Sequence, residues 1–434
     1  MNFYNREKEL EKLREIGQRS SSFSQMTIVV GRRRIGKTTL IREAFEEQVY
    51  LFVSRKSEAL LCGEFVSLIE NQLAIKLFGT FTSFSVLFEN LMEISTTRPF
   101  TLVMDEFQEF LHINPSLYAD MQNVWDRYKD RSQMNLILSG SIYSLMKKIF
   151  EDRKEPLFGR ATSKIHLKPF NVLTLKEILE QVYPDFSNED LLRFYMLTGG
   201  VAKYVEIFVD HKAFTRDQQL SLIFDEYSLF LDEGKNLLIE EFGKEYTTYF
   251  SILSLIASSK TARSEIEGVL EKNIGGFLDR LEFEYSVIRK VRPISAKEGG
   301  RVVKYELIDN FLNFWFRFIY KQRSAIEIGN YGYVREIVER DFATFSGKFL
   351  ERYFHQQLAL SGDYSEIGSY WERGNRNEID IVALNQREKQ LLIAEVKLNP
   401  ERINLEQLRQ KSSKLLAKYP RYSVQFAGLS LADL

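Results

Sequence analysis

The segment Gly31–Thr38, which reads GRRRIGKT, constrains the fold of this chain more than any other stretch. It fits the pattern G-x-x-x-x-G-K-S/T, in which two glycines let successive backbone N–H groups turn towards phosphate oxygens. Met26–Val30 before it predicts a short buried strand, and the apolar spacing of residues 39–47 after it predicts a half-buried helix. A strand, a glycine loop and a helix place a triphosphate at the helix N-terminus. The segment therefore predicts a nucleotide site.

A second signal is the apolar strand Phe100–Met104, which ends in Asp105 and Glu106. In a site of this kind Lys37 reaches the β- and γ-phosphates, and the Thr38 hydroxyl meets Mg²⁺. Asp105 is placed to hold Mg²⁺ through water, and Glu106 to polarise the water that attacks the γ-phosphate. Together these residues predict ATP and Mg²⁺ as cofactors.

Two further positions fit a role in hydrolysis and also a simpler structural role. The strand-like segment Asn135–Ser141 ends in hydroxyls, so Ser139 or Ser141 could contact the γ-phosphate or the attacking water, or could form a turn. Arg160 precedes another strand, and an arginine supplied by the same or a neighbouring chain stabilises charge on the transferred phosphoryl group. The alternative for Arg160 is a surface ion pair. We take Ser139 and Arg160 as the candidates.

Bulk composition excludes several classes of protein. The 434 residues suggest two to four domains, and the formal net charge of -1 gives no global basic field for nucleic acid. One cysteine, Cys62, excludes a disulfide framework, and the presence of only four histidines argues against a zinc site. The polar N-terminus lacks the apolar core of a signal peptide, and no run of about 18 apolar residues occurs. We expect a cytoplasmic protein with no membrane partner.

The pattern of apolar runs divides the chain into four parts, of which the first two predict an α/β core and a helical lid. Residues 1–170 alternate strand-like runs with helical patterns, which predicts a parallel sheet covered by helices. Residues 171–240 are helical throughout, and Ser187–Asp190 predicts a capped helix start. The strand-like runs of the first part are Met26–Val30, Tyr50–Val53, Phe100–Met104, Asn135–Leu138 and Ser163–Leu167.

The third part, residues 241–330, predicts a winged helix-turn-helix domain. Three helical patterns, at 246–257, 261–270 and 274–283, precede two strand-like runs, Val287–Val291 and Val302–Leu307. A polar loop, residues 295–301, separates these two runs. The aromatic segment Asn310–Tyr320 favours a helix that packs on a neighbouring domain over a surface that stacks on bases.

The fourth part, residues 331–434, predicts a small α/β domain. We expect one helix, then two strands, a basic helix and a last strand. Their expected positions are Asp341–Leu360, Glu378–Leu384, Gln390–Lys397, Glu401–Lys418 and Tyr422–Gly428.

Three residues of this fourth part form a second chemical constellation. Asp380 lies on the first strand, and Glu395 and Lys397 alternate on the next, so that both face the same side. A hairpin can bring Asp380 beside Glu395. Two such carboxylates can chelate Mg²⁺, and the adjacent lysine can orient or deprotonate water. The alternative is a surface salt bridge between Lys397 and either carboxylate.

Residues 1 to about 320 resemble the archaeal-type ATPases within the AAA+/STAND group of P-loop ATPases. The matching segments are 3–10, Gly31–Thr38, Asp105–Glu106, Leu138–Ser141, Pro156–Arg160 and Thr198–Ala202. One departure is Ala202, which stands where STAND ATPases usually carry a proline. The resemblance implies that Asn5 and Arg6 lie near the adenine. The nucleotide-binding residues that it nominates are Asn5, Arg6, Gly31, Arg34, Ile35, Gly36, Lys37, Thr38, Thr39 and Ser139.

The segments around Asp380, Glu395 and Lys397 resemble the PD-(D/E)xK nuclease superfamily, and in particular the C-terminal domain often fused to these ATPases. The resemblance implies a restriction-endonuclease-like fold with Glu351, on the preceding helix, as a further metal ligand beside Asp380 and Glu395. It also brings in Gln407, on the helix that follows. One departure is Ile379, which replaces the proline before the aspartate.

Basic residues in the last two parts are the candidate contacts for DNA. Those after the second site could follow a phosphate backbone or form a solvated face: Arg402, Arg409, Lys411, Lys414 and Lys418. Those of the winged segment could touch phosphates or dock a protein: Lys272, Arg280, Lys290, Arg292, Lys297 and Arg301.

Three functions are compatible with these features. Our leading hypothesis is an ATP-dependent switch that acts on DNA through a winged helix and a Mg²⁺-dependent nuclease-like domain. The second is a STAND-type signalling ATPase, in which the ATP state controls homo-oligomerisation and partner binding while the C-terminal domain is inert. The third is a transcription regulator that uses the winged helix.

Overall fold

The computed structural model describes residues 4–294, 296, 300 and 302–434. The chain forms two compact units, the first ending at Pro169 and the second running from Phe170 to Leu434. The division of the chain into four domains stays a prediction. Of the winged segment's candidate cations, Lys297 and Arg301 lie outside the described residues.

The first unit is built on a five-stranded sheet in its described part, with strand order β2-β3-β4-β1-β5 and all pairs parallel. The strands are β1 (Gln25–Val30), β2 (Val49–Phe52), β3 (Phe100–Asp105), β4 (Met134–Gly140) and β5 (Ser163–His166). The helices are α1 (Glu7–Arg19), α2 (Lys37–Ala44), α3 (Glu58–Leu73), α4 (Phe84–Ile94), α5 (Phe110–Ile113), α6 (Leu117–Tyr128) and α7 (Tyr143–Glu151). The predicted α/β core is confirmed, with each strand within two residues of its expected bounds.

Burial explains why this sheet could be predicted. Every residue of β1 and β4 is buried, as expected for central strands of a parallel sheet covered on both faces. The strand order places β4 between β1 and β3. Because the carboxyl ends of parallel strands meet at one edge, the loops after β1, β3 and β4 converge there.

The second unit begins with helices and ends in a small sheet. Its helices are α8 (Val172–Val182), α9 (Asn188–Thr198), α10 (Ala202–Asp210), α11 (Arg216–Ile223), α12 (Phe230–Phe242), α13 (Tyr246–Ala257), α14 (Arg263–Leu270), α15 (Gly275–Asp279), α16 (Asn310–Phe314), α17 (Arg323–Glu327), α18 (Tyr331–Ser361), α19 (Leu405–Lys411) and α20 (Ser413–Leu416). Its strands are β6 (Ile288–Val291), β7 (Lys304–Leu307), β8 (Glu366–Glu372), β9 (Arg376–Asn385), β10 (Gln390–Lys397) and β11 (Ser423–Ser430). Ser187 caps α9 in a capping box with Asp190, as predicted.

Helices α13 to α15 and the antiparallel pair β6–β7 follow the order expected for a winged helix. The identification of this segment as a winged helix stays a prediction. The last four strands form a mixed sheet in the order β11-β10-β9-β8, with β10 and β11 parallel and the other pairs antiparallel.

Three expectations for the last part were wrong in detail. The long helix α18 starts at Tyr331 rather than Asp341, and the edge strand β8 was not expected at all. The single basic helix over 401–418 is in fact a 3₁₀ turn followed by α19 and α20. At the break, the Ser412 hydroxyl donates to the Leu408 carbonyl oxygen, at 2.6 Å. A serine that bonds its own backbone in this way competes with helix continuation.

The aromatic segment Asn310–Tyr320 is a packing element, as its composition predicted. Residues 310–316 are all buried, and the helix continues through a π-helical turn at Trp315–Tyr320. The Trp315 indole N–H donates to the Leu231 carbonyl oxygen of α12, at 3.0 Å. Gly234, also on α12, lies against the indole face, where an added Cβ would meet the ring at 2.2 Å. Close contact between α12 and this segment therefore depends on Gly234.

We expect Gly234→Ala to lower the free energy of unfolding by about 1–3 kcal/mol, because a methyl group would overpack the Trp315 ring. Gly268→Ala in α14 is the matched control, since nothing lies within 4 Å of a Cβ built there. The control should be neutral or stabilising by up to about 1 kcal/mol through helix propensity. Urea denaturation of both variants checks the prediction, and equal stability of the two would contradict it.

Candidate functional site

The phosphate loop lies at the carboxyl edge of the first sheet, between β1 and α2. Gly36 has a φ of +94°, in the left-handed region that glycine adopts without steric cost. Gly31 packs against the Leu167 carbonyl oxygen, which would lie 2.8 Å from an added Cβ. Arg34 also has a positive φ, and Ile35 is buried beneath the loop. The geometry of the loop therefore explains why glycine occupies both motif positions: Gly31 has no room for a Cβ, and Gly36 has a left-handed backbone.

Lys37, the first residue of α2, forms hydrogen bonds back to the start of the phosphate loop. Its Nζ donates to the carbonyl oxygens of Gly31, at 2.7 Å, and Arg32, at 3.2 Å. Burial lowers the pKa of Lys37, although the nearby Glu106 and Asp105 carboxylates oppose that shift. A buried ammonium is costly unless it is paired with an anion, so a phosphate would be a favourable ligand at this place. Thr39, the third residue of α2, is exposed.

Thr38 and Asp105 meet as predicted. The Thr38 hydroxyl lies 3.2 Å from Asp105 Oδ2, and the Tyr50 hydroxyl donates to the same oxygen. Burial, followed by the hydrogen bond to Asp105, raises the pKa of Tyr50, so the phenol remains a donor. The described residues contain no group of three or more His, Cys, Asp or Glu side chains that could hold a metal. One hydroxyl and one carboxylate nevertheless fit Mg²⁺, which commonly takes its remaining ligands from water and phosphate.

Glu106 occupies a strained and closely held position. Its φ is +53°, which is uncommon for a residue other than glycine and concentrates at functional sites. Its Oε2 accepts from the Ser141 hydroxyl, at 2.7 Å, and from the Gln108 side-chain amide. Gln108 was not expected, because its role depends on the chain turning back after Glu106.

The two candidate hydroxyls, Ser139 and Ser141, lie in different surroundings, and a nucleotide contact by Ser139 stays a prediction. Ser139 is fully buried within β4, and its Oγ has no hydrogen-bond partner in the described structure. Ser141, two residues later and past the end of the strand, is the serine that contacts Glu106. In addition, Arg33 Nε donates to Ser141 Oγ, at 3.5 Å.

The N-terminal candidates lie close to the phosphate loop. Arg6 is buried, and its Nη2 donates to the Lys168 carbonyl oxygen, at 2.8 Å. Lys168 follows Leu167, the residue against which Gly31 packs. Asn5 is exposed, with a positive φ of 46°. This arrangement is compatible with an adenine contact, which stays a prediction.

Arg160 is held elsewhere on the surface of the first unit. Its guanidinium contacts Asp126, at 3.1 Å, and the Phe158 carbonyl oxygen, at 2.9 Å. None of its hydrogen bonds within the described residues reaches the phosphate loop, Asp105 or Glu106. In this structure the surface ion pair is the observed state, and a role in a neighbouring chain stays a prediction.

The predicted C-terminal constellation also comes together. Strands β9 and β10 pair so that Ala394 opposes Ile381. Lys397 Nζ lies 3.2 Å from Asp380 Oδ2 and 3.5 Å from Glu395 Oε1. The Val396 amide also donates to Asp380 Oδ2, at 2.8 Å.

The charge state of Lys397 distinguishes its two candidate roles. Burial lowers the pKa of Lys397, but the Asp380 and Glu395 carboxylates outweigh that effect and the net shift is upward. Lys397 is therefore an ammonium ion near neutral pH. It can orient water or a phosphate, whereas deprotonating water is disfavoured.

Glu351 approaches the same site from α18. Burial raises the pKa of Glu351, and repulsion from Asp380 and Glu378 adds to the shift. One turn later His355 Nε2 lies 3.0 Å from the Asp380 carbonyl oxygen, which also accepts from the Ser369 hydroxyl, at 2.8 Å. His355 was not expected from the sequence. Asp380 and Glu395 supply the oxygen ligands that Mg²⁺ prefers, although the Lys397 ammonium lies between them.

Most candidate DNA contacts in the C-terminal part have protein partners. Lys411 lies 3.4 Å from Glu395 Oε1, and Lys414 lies 2.6 Å from Glu372. Arg409 stacks over Phe426. In the segment that resembles a winged helix, Arg280 pairs with Glu245 and covers the Tyr249 and Phe277 rings; Lys290 lies over Tyr305. The backbone N–H of Gln407 donates to Asn404 Oδ1, which caps the N-terminus of α19.

Comparison with known proteins agrees with the architecture of the first part. Residues 3–208 match a protein family described as an ATPase domain predominantly from Archaea. The first part of the chain is therefore similar to archaeal-type ATPase domains. Residues 315–410 match a second family, described as archaeal and bacterial proteins of unknown function. The resemblance of the C-terminal part to nucleases stays a prediction.

Individual relatives extend the likeness over most of the chain. An uncharacterized protein of Methanocaldococcus jannaschii is 28% identical over 411 residues, which cover 91% of this chain and 87% of the relative. The Walker-type ATPase of Pyrococcus abyssi is similar in structure, with a TM-score of 0.54, 20% identity and coverage of 72% of this chain and 96% of that one. The ORC2 protein of Aeropyrum pernix is similar in structure with a TM-score of 0.52 and 16% identity. The match covers 75% of this chain and 95% of that one. At these identities the structural likeness concerns the fold. Among the described residues, no helix combines the length and apolar character needed to cross a membrane.

Proposed function

We propose that this protein binds ATP with Mg²⁺ and hydrolyses it, and that the nucleotide state controls the second unit. The observation that carries the proposal is the convergence of Lys37, the Thr38–Asp105 pair and Glu106 at one edge of the sheet. The ORC2 protein of Aeropyrum pernix, which shares the fold, was solved in ADPNP-ADP complexes. This supports an adenine nucleotide as the ligand here.

In this proposal each residue of the edge has a separate task. Lys37 exchanges the two loop carbonyls for β- and γ-phosphate oxygens. Glu106 accepts a proton from the attacking water as that water bonds to the γ-phosphorus and ADP leaves. Thr38 and Asp105 would hold Mg²⁺, which neutralises the negative charge on the phosphates.

Replacement of Lys37 tests nucleotide binding. We expect Lys37→Ala to weaken ATP binding about 10- to 100-fold, the value of a lost hydrogen bond between charged groups. Titration with a fluorescent ATP analogue measures the effect. Lys56→Ala, which removes an exposed lysine paired with Glu64 in the same unit, is the matched control and should bind normally. ATP binding by Lys37→Ala at wild-type affinity would refute the nucleotide site.

We further propose that the second unit acts on DNA. Asp380 and Glu395 would hold Mg²⁺, with water and phosphate as its other ligands, and Lys397 would orient the attacking water or the scissile phosphate. Glu351, the further ligand that the resemblance implies, does not complete a group of three metal-binding side chains in the described structure. Helices α13–α15 with β6–β7 would contact the duplex as a winged helix. The support is the placement of Asp380, Glu395 and Lys397 on adjacent strands, with Lys397 Nζ within 3.5 Å of a carboxylate oxygen of each acidic residue.

One observation favours a second candidate function. Glu395 already accepts contacts from both Lys397 and Lys411, so lysines rather than a metal can neutralise this site. A C-terminal domain that is inert in this way would fit a signalling ATPase of STAND type, in which ATP controls homo-oligomerisation and partner binding. Size-exclusion chromatography with and without ATP, beside a nuclease assay, separates the two functions.

A further inference from the structure

The phosphate loop contains three consecutive arginines, Arg32 to Arg34, that phosphate binding by backbone amides and Lys37 does not require. Arg33 has a hydrogen bond that leads to the side chain of Glu106. Its Nε donates to Ser141 Oγ, at 3.5 Å, and Ser141 Oγ donates to Glu106 Oε2, at 2.7 Å. Arg33, Ser141 and Glu106 therefore form one directed chain of hydrogen bonds.

This chain defines the state of Glu106 before a triphosphate binds. A serine hydroxyl has one proton and accepts through its lone pairs, so Ser141 can accept from Arg33 and donate its proton to Glu106 at the same time. The Glu106 oxygen also receives the Gln108 amide. Glu106 Oε2 thus accepts hydrogen bonds from two donors.

The γ-phosphate changes the balance at Arg33. A guanidinium bonds an ionised oxygen roughly twice as strongly as a neutral one, and at shorter distance. Arg33 belongs to the loop that wraps the phosphates, and it faces the same edge as Glu106. Arg160, the other candidate, is engaged by Asp126.

We propose that Arg33 detects the γ-phosphate by binding it. When ATP binds, the Arg33 guanidinium exchanges its hydrogen bond to the Ser141 hydroxyl for one to the γ-phosphate. The Ser141–Glu106 pair then positions the attacking water. ADP offers no γ-phosphate, so Arg33 stays on Ser141. Arg33 in this way distinguishes triphosphate from diphosphate within a single chain. This inference rests on the proposed ATPase function of the same site.

Nucleotide discrimination is the direct test. Dissociation constants for fluorescent ADPNP and fluorescent ADP are measured for the wild type, Arg33→Ala and Arg19→Ala. We expect Arg33→Ala to weaken ADPNP binding about 10-fold or more while ADP affinity stays within about threefold, because one charge-assisted bond to the γ-phosphate is lost. Arg19→Ala removes the same charge from an exposed position of α1, where Arg19 pairs with Glu15, and should keep both affinities within about threefold of the wild type.

The energetic coupling between Arg33 and Ser141 is a second test. A purely structural role of Arg33 would not produce coupled effects on the hydrolysis rate. We expect the hydrolysis rate of the Arg33→Ala, Ser141→Ala double variant to equal that of the slower single variant, since residues that act as one unit are not additive. Thermal unfolding verifies that each variant is folded, and Arg33→Gln replaces Arg33→Ala if the latter is not.

Two results would overturn the inference. One is an unchanged ratio of ADP to ADPNP affinity in Arg33→Ala, and the other is fully additive effects of the two substitutions. Failure of the ATPase proposal itself has a different signature, because Lys37→Ala would then bind both nucleotides as the wild type does.

Discussion

Glu106→Gln should leave ATP binding intact and slow hydrolysis about 100- to 10,000-fold, the usual contribution of a general base. Glutamine has nearly the same shape and still accepts a hydrogen bond from Ser141, but it cannot take a proton from water. The left-handed backbone of Glu106, with φ of +53°, fixes where this side chain points. The loss should therefore fall on the rate of hydrolysis and not on nucleotide affinity.

A control for this substitution lies three residues along the chain. Glu109 is buried and pairs with Arg55, and none of its hydrogen bonds within the described residues reaches the phosphate loop. Glu109→Gln should hydrolyse ATP at the wild-type rate. Phosphate release at saturating ATP, with nucleotide affinity measured in parallel, separates the two variants. Normal turnover by Glu106→Gln would show that another group activates the water.

The sequence specified the catalytic edge wherever a residue's role follows from its local motif. One loop of eight residues is sufficient to predict the roles of Gly31, Gly36, Lys37 and Thr38. The end of one strand is sufficient for Asp105 and Glu106. The parallel sheet then brings both segments to the same edge. This part of the site could be predicted because local pattern and fold class are sufficient.

Other residues of the two sites depend on chain geometry that no short pattern encodes. Tyr50 reaches Asp105 only because β2 and β3 are neighbours. Gln108 returns to Glu106 because the backbone turns through a left-handed residue. Ser141, not Ser139, contacts Glu106, and it follows the end of β4 at Gly140. His355 contacts Asp380 through helix packing across a separation of 25 residues.

The last part of the chain, residues 331–434, shows the limit of pattern analysis for secondary structure. Strand β8 escaped prediction because it is an edge strand, with Gly368 in its middle and register shifts against β9. Edge strands lack the continuous apolar run that marked β1 and β4. The basic helix was expected as one element because its charges are periodic, whereas the Ser412 side chain ends the first half.

Asp380→Asn should abolish any metal-dependent nicking of supercoiled DNA, with a loss of about 1,000-fold that corresponds to roughly 4 kcal/mol of lost metal-ion charge stabilisation. Asparagine can still accept from the Val396 amide, so the strand pairing should survive. Lys397→Ala should give a comparable loss, because the ammonium ion that faces both carboxylates would be missing. Asp363→Asn, at an exposed position before β8, is the matched control and should nick normally.

The wild-type protein decides between the two proposed functions in the same assay. Nicking in the presence of Mg²⁺ or Mn²⁺ that changes with ATP and disappears in Asp380→Asn would support a nuclease controlled by the first unit. Nicking that persists in both site variants would come from a different site. No cleavage of DNA or RNA by the wild type, together with ATP-dependent oligomers, would mean that Lys397 and Lys411 occupy the place of a metal. The ion pairs of Glu395 would then be structural, and the second unit would act through partner binding.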